Sequence, residues 1–334
     1  MSKTTIFDIA KDCGVSIKTV SRVLNNSSSV SDATKEKIYA SMKRLDYQVN
    51  MLARGLKGSR TNIIVIFVDR HHEEHLSAWH NIMLKYLFTY AKERSLKAVM
   101  SPSNSQEYLE DETDGFYLLA SGIADGAILL ENVHHDLRVE YFNKMNIPYV
   151  VFGEPEDQSI PAVSLDNYDV GFKGGSYLLN KNYRDIVFLI GEKRFLSNQL
   201  RGKGFQDAVA HKDVHYTVLY GIDTIEKAYK TSENLLRTEK IDAFFVSGDE
   251  RAIGVYRAVY EKGLKIPRDV AVLGVDNIPI GRYYYPPIST LDQNFERMGK
   301  ALIDKLYLLM NHEALAKDLL REKQLSVVVE REST

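Results

Sequence analysis

The residues whose chemistry is easiest to interpret are one apolar side chain and two cations on a short segment near the N-terminus. Ile17, Lys18 and Arg22 lie on a predicted helix whose apolar face carries Val20 and Val23. Lysine or arginine can bond O6 and N7 of guanine, and isoleucine can contact the methyl group of thymine. These three side chains are therefore candidate readers of DNA bases, with an ordinary solvated surface as the alternative interpretation.

Small polar side chains surround this segment at predicted helix starts and turns. Hydroxyl and amide donors in such places suit contacts with DNA phosphates, which position a protein on the duplex without reading its sequence. The candidates for these backbone contacts are Thr5, Ser16, Thr19, Ser21, Asn25, Ser31 and Tyr47.

A second chemistry is suggested by the run His71-His72-Glu73-Glu74-His75, which fits the inverted zincin pattern His-x-x-Glu-His. On a helix, His71 and His75 would share a face and bind Zn²⁺, while Glu74 acts as a base. The run directly follows a predicted strand ending at Val68, which favours a polar loop instead. We find no phosphate-binding loop, dinucleotide fingerprint or convincing catalytic triad, and we expect no metal and no cofactor.

Three short helices would position the candidate DNA contacts. Thr5 begins a capping box for the first helix, and Gly14 supplies its C-terminal stop. Ser16 caps a second helix that runs to residue 25, and Ser31 caps a third. Two short helices joined by a glycine-containing turn are typical of a helix-turn-helix, whose second helix enters the major groove.

The distribution of charge along the chain agrees with an N-terminal segment, or head, that binds nucleic acid. The chain of 334 residues has a net charge of −2, but residues 1–60 hold 11 Lys and Arg against 5 Asp and Glu. The remaining residues hold 32 Lys and Arg against 40 Asp and Glu. A small basic head on a larger acidic body suggests that the head meets a polyanion.

The composition excludes several classes of protein. Hydrophobic residues make up 44% of the chain and charged residues 26%, as in soluble globular proteins. The single cysteine, Cys13, permits no internal disulfide and fits a reducing compartment. Apolar runs such as residues 63–68 are far shorter than the ~18 residues of a membrane-spanning helix, and the N-terminal segment does not resemble a signal peptide. We therefore expect a cytoplasmic protein with no membrane partner.

From residue 61 onward, apolar strand-like runs alternate with amphipathic helical segments. This alternation predicts an α/β fold with parallel sheets covered by helices, because strands buried on both faces are apolar throughout. The predicted helices include residues 82–93, 170–179 and 253–262. The predicted strands are residues 63–68, 98–100, 126–130, 149–152, 186–190, 216–219, 243–246 and 270–274.

Several short segments are more specific than these patterns. They are Thr5-Ile6-Phe7-Asp8-Ile9-Ala10, Gly14-Val15-Ser16, Thr19-Val20-Ser21-Arg22-Val23-Leu24-Asn25, Thr34-Lys35-Glu36-Lys37-Ile38, Leu45-Asp46-Tyr47, Ala53-Arg54-Gly55-Leu56 and Thr61-Asn62-Ile63-Ile64. Together they resemble the lactose/galactose-repressor (LacI/GalR) family of bacterial transcriptional regulators. The body follows the pattern of that family to about residue 330.

The resemblance implies a helix-turn-helix head over residues 1–49 and a body of two parallel-sheet lobes like those of periplasmic binding proteins. A hinge helix and linker over residues 50–60 would order on operator DNA, with Leu56 wedged into the minor groove. The first lobe would comprise residues 61–163 with 293–325, and the second lobe residues 164–292 with 326–334.

The resemblance also implies a small-molecule effector between the lobes, outside the carboxyl ends of the strands. Arg201 and Asp276 match the arginine and the acidic residue with which the family binds its effector. A guanidinium beside a carboxylate suits the hydroxyl groups of a polyol. Asp249, Trp79 and His71 are further candidate contacts, and structural ion pairing or core packing is the alternative role for these side chains.

The chain departs from the family pattern near this predicted site. Gly248 stands where many relatives have asparagine, and Gly153 and Glu154 stand where some have aspartate. Residues 221–223 lack an aromatic side chain that is often found nearby. These departures leave the identity of the effector open.

Taken together, the resemblance implies a sequence-specific transcriptional repressor, not an enzyme, that binds a pseudo-palindromic operator as a homodimer. Its effector would be a sugar or sugar phosphate from carbohydrate metabolism. A purine-responsive regulator and a regulator coupled to a phosphocarrier protein are the alternatives within the family. A zinc metallopeptidase is the remote alternative outside it.

Overall fold

The computed structural model describes residues 4–24, 29–47, 60–69, 76–103, 115–313 and 315–334. Its contacts divide the chain into two compact units, residues 1–61 and residues 62–334. We call these units the head and the body.

The head contains helices α1 (Ile6–Cys13), α2 (Ile17–Leu24) and α3 (Asp32–Arg44). Oδ2 of Asp8 accepts hydrogen bonds from the backbone N–H of Thr5 at 2.8 Å and from its hydroxyl at 2.7 Å, so α1 begins where the sequence predicts. Gly14 ends α1 at φ 61°, a left-handed conformation that suits glycine. The N–H of Thr19 donates to Oγ of Ser16 at 3.0 Å and caps α2.

A small apolar core holds α1, α2 and α3 together. Ser41 and Arg44 on α3 both donate to the carboxylate of Asp12 on α1, which adds a polar tie at the edge of the core. The buried apolar residues are Ile9, Ala10, Cys13, Val20, Val23, Val30 and Ile38. Because Val20 and Val23 face this core, the opposite side of α2 lies at the surface of the head.

The body is an α/β structure. Its described strands are β1 (Ile63–Asp69), β2 (Lys97–Ser103), β3 (Gly126–Leu130), β4 (Tyr149–Phe152), β5 (Ala162–Leu165), β6 (Asp185–Leu189), β7 (His215–Leu219), β8 (Ala243–Val246), β9 (Ala271–Asp276), β10 (Ser289–Asp292), β11 (Arg321–Gln324) and β12 (Val327–Val329). Its described α-helices are α4 (Ala78–Glu93), α5 (Gly115–Ala120), α6 (Leu137–Met145), α7 (Asn167–Asn180), α8 (Leu196–Val209), α9 (Ile225–Thr238), α10 (Asp249–Glu261), α11 (Phe295–Met310) and α12 (Lys317–Leu320). A 3₁₀ helix spans Pro279–Tyr283.

The strands form two six-stranded sheets, in the orders β11-β5-β4-β3-β1-β2 and β12-β10-β9-β8-β6-β7. Neighbouring strands are parallel except for β10 and β12. In the register of the first sheet, Ile64 of β1 pairs with Ala98 and with Gly126. The central strands β3 and β8 are buried along their whole length, because helices cover both faces of each sheet. The α/β fold class expected from the sequence is confirmed.

The first sheet with its helices forms the first lobe, and the second sheet with its helices forms the second. Within the described residues, the chain passes between the lobes at three short connections, namely Asp166, residues 293–294 and residues 325–326. Strand β5 belongs to the first sheet, so this lobe extends two residues beyond the boundary predicted at residue 163.

Candidate functional site

A cavity of about 440 Å³ lies between the two lobes, at the carboxyl ends of their strands. Asn132 and Gly153 follow β3 and β4 on the first lobe, and Gly191, Gly248 and Asp276 follow or end β6, β8 and β9 on the second. This is the edge of an open α/β sheet at which ligands bind. The volume falls within the range of small-molecule sites.

Arg201, on α8, lines the cavity from the second lobe. Its Nε donates to Oδ1 of Asn167 at 2.9 Å, and its Nη1 donates to Oγ of Ser247 at 2.8 Å. Burial lowers the pKa of Arg201 to about 10, and the charge of Asp276 opposes that shift. Arg201 is therefore a cation at neutral pH, and these two bonds use only part of its fork of five N–H donors.

Asp276 lies at the last position of β9, also on the cavity wall, and its residue surface is 6% exposed. Nε2 of Gln293 donates to its Oδ1. Burial raises the pKa of Asp276 to about 6, while Arg201 and Arg251 act to lower it. The backbone of Asp276 is held at φ 115°, where side chains other than glycine are strained. An acceptor carboxylate thus lies in the same cavity as the Arg201 donor.

Aromatic side chains form another part of the wall. Trp79, on α4, lies 5.2 Å from the ring of Phe152, centroid to centroid, and its Nε1 donates to Oε1 of Gln293 at 3.2 Å. Phe195, just before α8, contributes a ring from the second lobe. Rings on a cavity wall offer flat faces to the C–H surfaces of a sugar or to a planar base.

The head presents the predicted base readers on its surface. Ile17 is 37% exposed, and Lys18 and Arg22 are also exposed. Of the predicted phosphate contacts, Thr5, Ser16 and Ser31 are exposed, whereas Thr19, Ser21 and Tyr47 are partly buried. Asn25, Leu56 and His71 lie outside the described residues, and their roles stay predictions of the sequence.

Comparison with known proteins decides the family. Residues 5–50 match the family described as bacterial regulatory proteins, lacI family, and residues 176–334 match a periplasmic binding protein-like domain. The HTH-type transcriptional repressor PurR of Actinobacillus pleuropneumoniae is 30% identical over 306 residues, which cover 89% of each chain. The chain belongs to the lacI family. The sucrose operon repressor of Streptococcus mutans is 29% identical, over 93% of this chain and 94% of that one.

Two solved structures are similar to nearly the whole chain. A complex of the transcriptional regulator CelR with cellobiose has a TM-score of 0.74 and 25% identity, covering 99% of this chain and 100% of the other. A lac repressor dimer bound to operator and the anti-inducer ONPF has a TM-score of 0.83 and 23% identity, covering 99% of each chain. At 23% identity, the similarity to the lac repressor structure shows a shared fold. The family resemblance identified from the sequence is confirmed.

The lacI-family interpretation predicted Asp249 as an effector contact, but Asp249 is not among the residues that line the cavity. It is fully buried, and its carboxylate accepts from the hydroxyl of Thr290 at 2.7 Å and from the N–H of Ile278 at 3.0 Å. Burial raises the pKa of Asp249. Asp249 follows β8 at the edge of the sheet that borders the cavity, as predicted. Its side chain, however, holds the loop after β9 through Ile278 and strand β10 through Thr290.

Most polar residues of the cavity wall were not singled out from the sequence, and three of them carry an ionisable side chain close to the predicted contacts. These three are Arg251, Glu250 and His80. Arg251 and Glu250 lie in the first turn of α10, beside Asp249, so the same strand-to-helix junction would have indicated them. A Cβ on Gly248 would lie 2.6 Å from Nη2 of Arg251, so the glycine that departs from the family pattern leaves room for this guanidinium.

The zinc motif at residues 71–75 lies outside the described residues. Within the described part of the chain, no group of three or more His, Cys, Asp or Glu side chains could hold a metal ion. No helix in that part is long and apolar enough to cross a membrane.

Proposed function

We propose that this lacI-family protein is a cytoplasmic transcriptional repressor whose affinity for operator DNA is controlled by a small molecule bound between the lobes. The observation that carries the proposal is the pair formed by Arg201 and Asp276. A donor fork and an acceptor carboxylate, each costly to bury alone, lie together in a cavity of suitable size. Neighbouring hydroxyl groups of a polyol match that pair.

The proposed effector is a sugar. The aromatic wall of Trp79 and Phe152 would cover the apolar face of a sugar ring while Arg201 and Asp276 bind its hydroxyls. The CelR relative was solved with cellobiose, and another relative is named as a sucrose operon repressor. Phe195 on the opposite lobe favours a purine as the second candidate, because a planar base can stack between rings from both sides.

On the head, Ile17, Lys18 and Arg22 are the proposed base readers, and the polar residues around them are the proposed phosphate contacts. Leu56 is the proposed minor-groove wedge of a hinge over residues 50–60. The effector would act through its differential affinity for two arrangements of the lobes, which changes the order of the hinge and hence DNA affinity.

A homodimer would present two heads to a pseudo-palindromic operator. The second lobe exposes apolar and aromatic side chains that suit such contact, namely Ile253, Tyr260, Ile280, Tyr283 and Tyr285. The hydroxyl of Tyr260 donates to the carbonyl oxygen of Tyr285, so α10 and the loop after the 3₁₀ helix share this surface.

A thermal-shift screen against sugars, sugar phosphates and nucleobases tests the proposal. A ligand at 100 times its Kd adds about 2.7 kcal/mol to the free energy of unfolding. The hit is then added to the protein bound to an operator selected from random DNA. A sugar that changes operator affinity supports the proposal, and a nucleobase that does so replaces the sugar with the purine candidate. A protein that selects no DNA sequence would overturn the repressor function.

A further inference from the structure

Arg251 places a second guanidinium on the cavity wall, near that of Arg201. It lies in the first turn of α10, on the second lobe. The two guanidiniums are close enough that the positive charge of Arg251 acts to lower the pKa of Arg201. Two cations that approach each other away from bulk water repel, so each needs acceptors from the protein or from a ligand. The acceptors available to Arg251 therefore decide what this side chain does.

Among the described residues, the protein supplies Arg251 with one hydrogen-bond acceptor. Its Nη1 donates to the carbonyl oxygen of Ile222 at 3.3 Å, which is a long hydrogen bond. A guanidinium carries five N–H donors, and in the described part of the chain Nε and Nη2 of Arg251 have no acceptor. Most of the hydrogen-bonding capacity of this cation is therefore left for a molecule in the cavity.

Arg138, on α6, shows how the same protein satisfies an arginine with a structural role. This side chain is fully buried, and all of its nitrogens donate. Nε and Nη2 donate to the carboxylate of Asp136 at 2.9 and 2.7 Å, Nη1 donates to Oγ of Ser103 at 2.9 Å, and Nη2 also donates to the carbonyl oxygen of Glu131 at 3.0 Å. Unsatisfied donors away from water cost free energy. The contrast indicates that the partners of Arg251 come from outside the protein.

Two glycines leave room for the guanidinium of Arg251. They are Gly191, which follows β6, and Gly248, which follows β8. A Cβ on Gly248 would lie 2.6 Å from Nη2 and 2.7 Å from Nε, and a Cβ on Gly191 would lie 2.9 Å from Nη1. The guanidinium thus lies against the backbone at the carboxyl ends of two neighbouring strands, where an open α/β sheet binds its ligand.

Asp276 provides an acceptor carboxylate close to both guanidiniums. Its charge is the leading one that favours the protonated forms of Arg201 and Arg251, and both arginines act in turn to lower the pKa of Asp276. Within the described residues, however, no ion pair of 4.0 Å or less joins Asp276 to either arginine. Because all three side chains line the cavity and are not in direct contact, a ligand can lie between them.

We infer that Arg251 is a second effector-binding guanidinium, which donates through its fork to hydroxyl oxygens of a sugar that also contacts Arg201 and Asp276. The ligand must then carry oxygen acceptors for two separate forks, which suits a polyol with several neighbouring hydroxyl groups. The inference rests on the proposed function and deepens it, because it names a residue that determines which hydroxyl groups the effector carries.

Calorimetry on the full-length protein tests the contact. The probes are glucose, galactose, fructose, sucrose and cellobiose, with adenine, guanine and hypoxanthine for comparison. Arg251→Met keeps much of the length of the side chain but removes its charge and its donors. Because a hydrogen bond from a charged donor is lost, we expect this variant to bind the sugar that binds wild type about 10- to 100-fold more weakly. An unchanged Kd would overturn the inference.

Two further variants control for charge and for folding. Arg257→Met makes the same substitution at a side chain of α10 that is 62% exposed, and it should leave the Kd within twofold of wild type. Arg251→Lys keeps the charge but not the fork, so its Kd should lie between those of wild type and Arg251→Met. Melting temperatures establish that each variant is folded.

Monodeoxy forms of the sugar that binds identify the contact itself. We expect one position at which loss of the hydroxyl weakens binding to wild type about tenfold but changes binding to Arg251→Met by less than about twofold, because the missing oxygen is the acceptor of Arg251. A role of Arg251 in the fold alone would not produce this pattern. A complete set of monodeoxy sugars that lose equal affinity in the two proteins would place Arg251 outside the contact.

The same measurements separate this inference from the proposed function. If Arg201→Ala loses binding and Arg251→Met keeps it, the site between the lobes stands and the inference fails. If neither variant changes binding, the ligand lies elsewhere and both fail. Binding of a nucleobase in place of every sugar would refute the sugar effector and, with it, the hydroxyl contact of Arg251. If no probe binds, both fail.

Discussion

At the scale of single residues, Arg201 of the second lobe places its guanidinium on the wall of the proposed effector cavity. Arg201→Ala removes a charged donor and leaves the carboxylate of Asp276 with one cation fewer. A hydrogen bond from a charged donor to a ligand contributes about 2 kcal/mol, so we expect effector affinity to fall ~30-fold. Operator affinity without effector should stay within twofold of wild type.

Calorimetry with the effector and fluorescence anisotropy with operator DNA measure the two affinities. Arg237→Ala, which removes an exposed arginine on α9, is the matched control. An Arg201→Ala protein that keeps its full response to effector would place the ligand elsewhere.

If Asp276 binds the effector as proposed, we expect effector binding to depend on pH. Its pKa, raised by burial to about 6, means that the carboxylate is ionised at pH 8 and largely protonated at pH 5. An ionised carboxylate accepts the hydroxyl protons of the ligand, so we expect the Kd to rise as pH falls through 6, by up to about tenfold per unit. In Asp276→Asn, binding is weaker and this dependence is lost. A wild-type Kd that is constant from pH 5 to pH 8 would contradict the assignment.

The free energy of unfolding should change in the opposite direction. A carboxyl whose pKa is higher in the folded protein than its ordinary 3.8 stabilises the fold below that ordinary value, and this stability is lost as pH rises through about 6. Without effector, wild type should therefore gain stability relative to Asp276→Asn when the pH is lowered from 7 to 5. Urea unfolding of both proteins at the two pH values measures the difference.

At the scale of elements, close packing of α7 against α8 fixes the position of Arg201. A Cβ on Gly171 of α7 would lie 1.9 Å from the carbonyl oxygen of Arg201, so only glycine allows the two helix backbones to approach this closely. We expect Gly171→Ala to lower the free energy of unfolding by about 1–3 kcal/mol and to weaken effector binding as Arg201 moves. Ser176→Ala on the same helix should change stability by less than about 0.5 kcal/mol. Equal stability of the two variants would contradict this account.

The second helix of the head is the element that reads DNA in the proposed function. Arg22 is exposed, so Arg22→Ala should leave the melting temperature of the protein unchanged. Removing a base contact should weaken binding to the selected operator by about 1–3 kcal/mol and relax specificity at one base pair. Lys43→Ala, an exposed cation on α3, controls for the loss of charge. Anisotropy on operator and mismatched DNA gives both affinities, and equal losses on the two would remove Arg22 from the base readers.

The elements that the sequence predicts well are those whose pattern is local. Helices α1 and α2 begin at their predicted caps, and β3, β4 and β8 have the predicted bounds, because each is a continuous apolar run. Strands β5, β10 and β11 were not predicted, since polar residues such as Ser164 and Thr290 interrupt their apolar pattern. Their pairing depends on neighbours distant in the sequence, which no local pattern records.

The candidate site divides in the same way. Arg201, Asp276 and Trp79 were located because family motifs and strand ends mark their positions. Arg251 was missed although it lies at the same strand-to-helix junction as Asp249, and the space that Gly248 leaves for its guanidinium is visible only in the folded backbone. Asp249 was placed at the correct strand end, but burial and its bonds to Thr290 and Ile278 decide its role.

At the scale of the whole molecule, the exposed aromatic surface of the second lobe suits association of two chains. Tyr283 and Tyr285 are each 85% exposed. We expect Tyr283→Asp with Tyr285→Asp to shift the protein toward the monomer in analytical ultracentrifugation and to weaken operator binding at least tenfold, since the two heads then bind separately. Tyr216→Asp, at an exposed position on β7, is the control. A doubly substituted protein that stays dimeric would move the interface to another surface.

The three connections between the lobes also affect the order in which the parts of the protein fold during synthesis. The first sheet is completed only by β11, and α11 packs on its strands β3, β4 and β5, so this lobe needs segments that leave the ribosome after nearly all of the second lobe. The second sheet in turn ends with β12. Neither lobe can reach its final packing until β11 and β12 have left the ribosome, whereas the head has its own core within residues 9–38. The nascent chain therefore carries a folded head on a body whose apolar strands still lack their last partners, the stage at which chaperones bind exposed apolar surface.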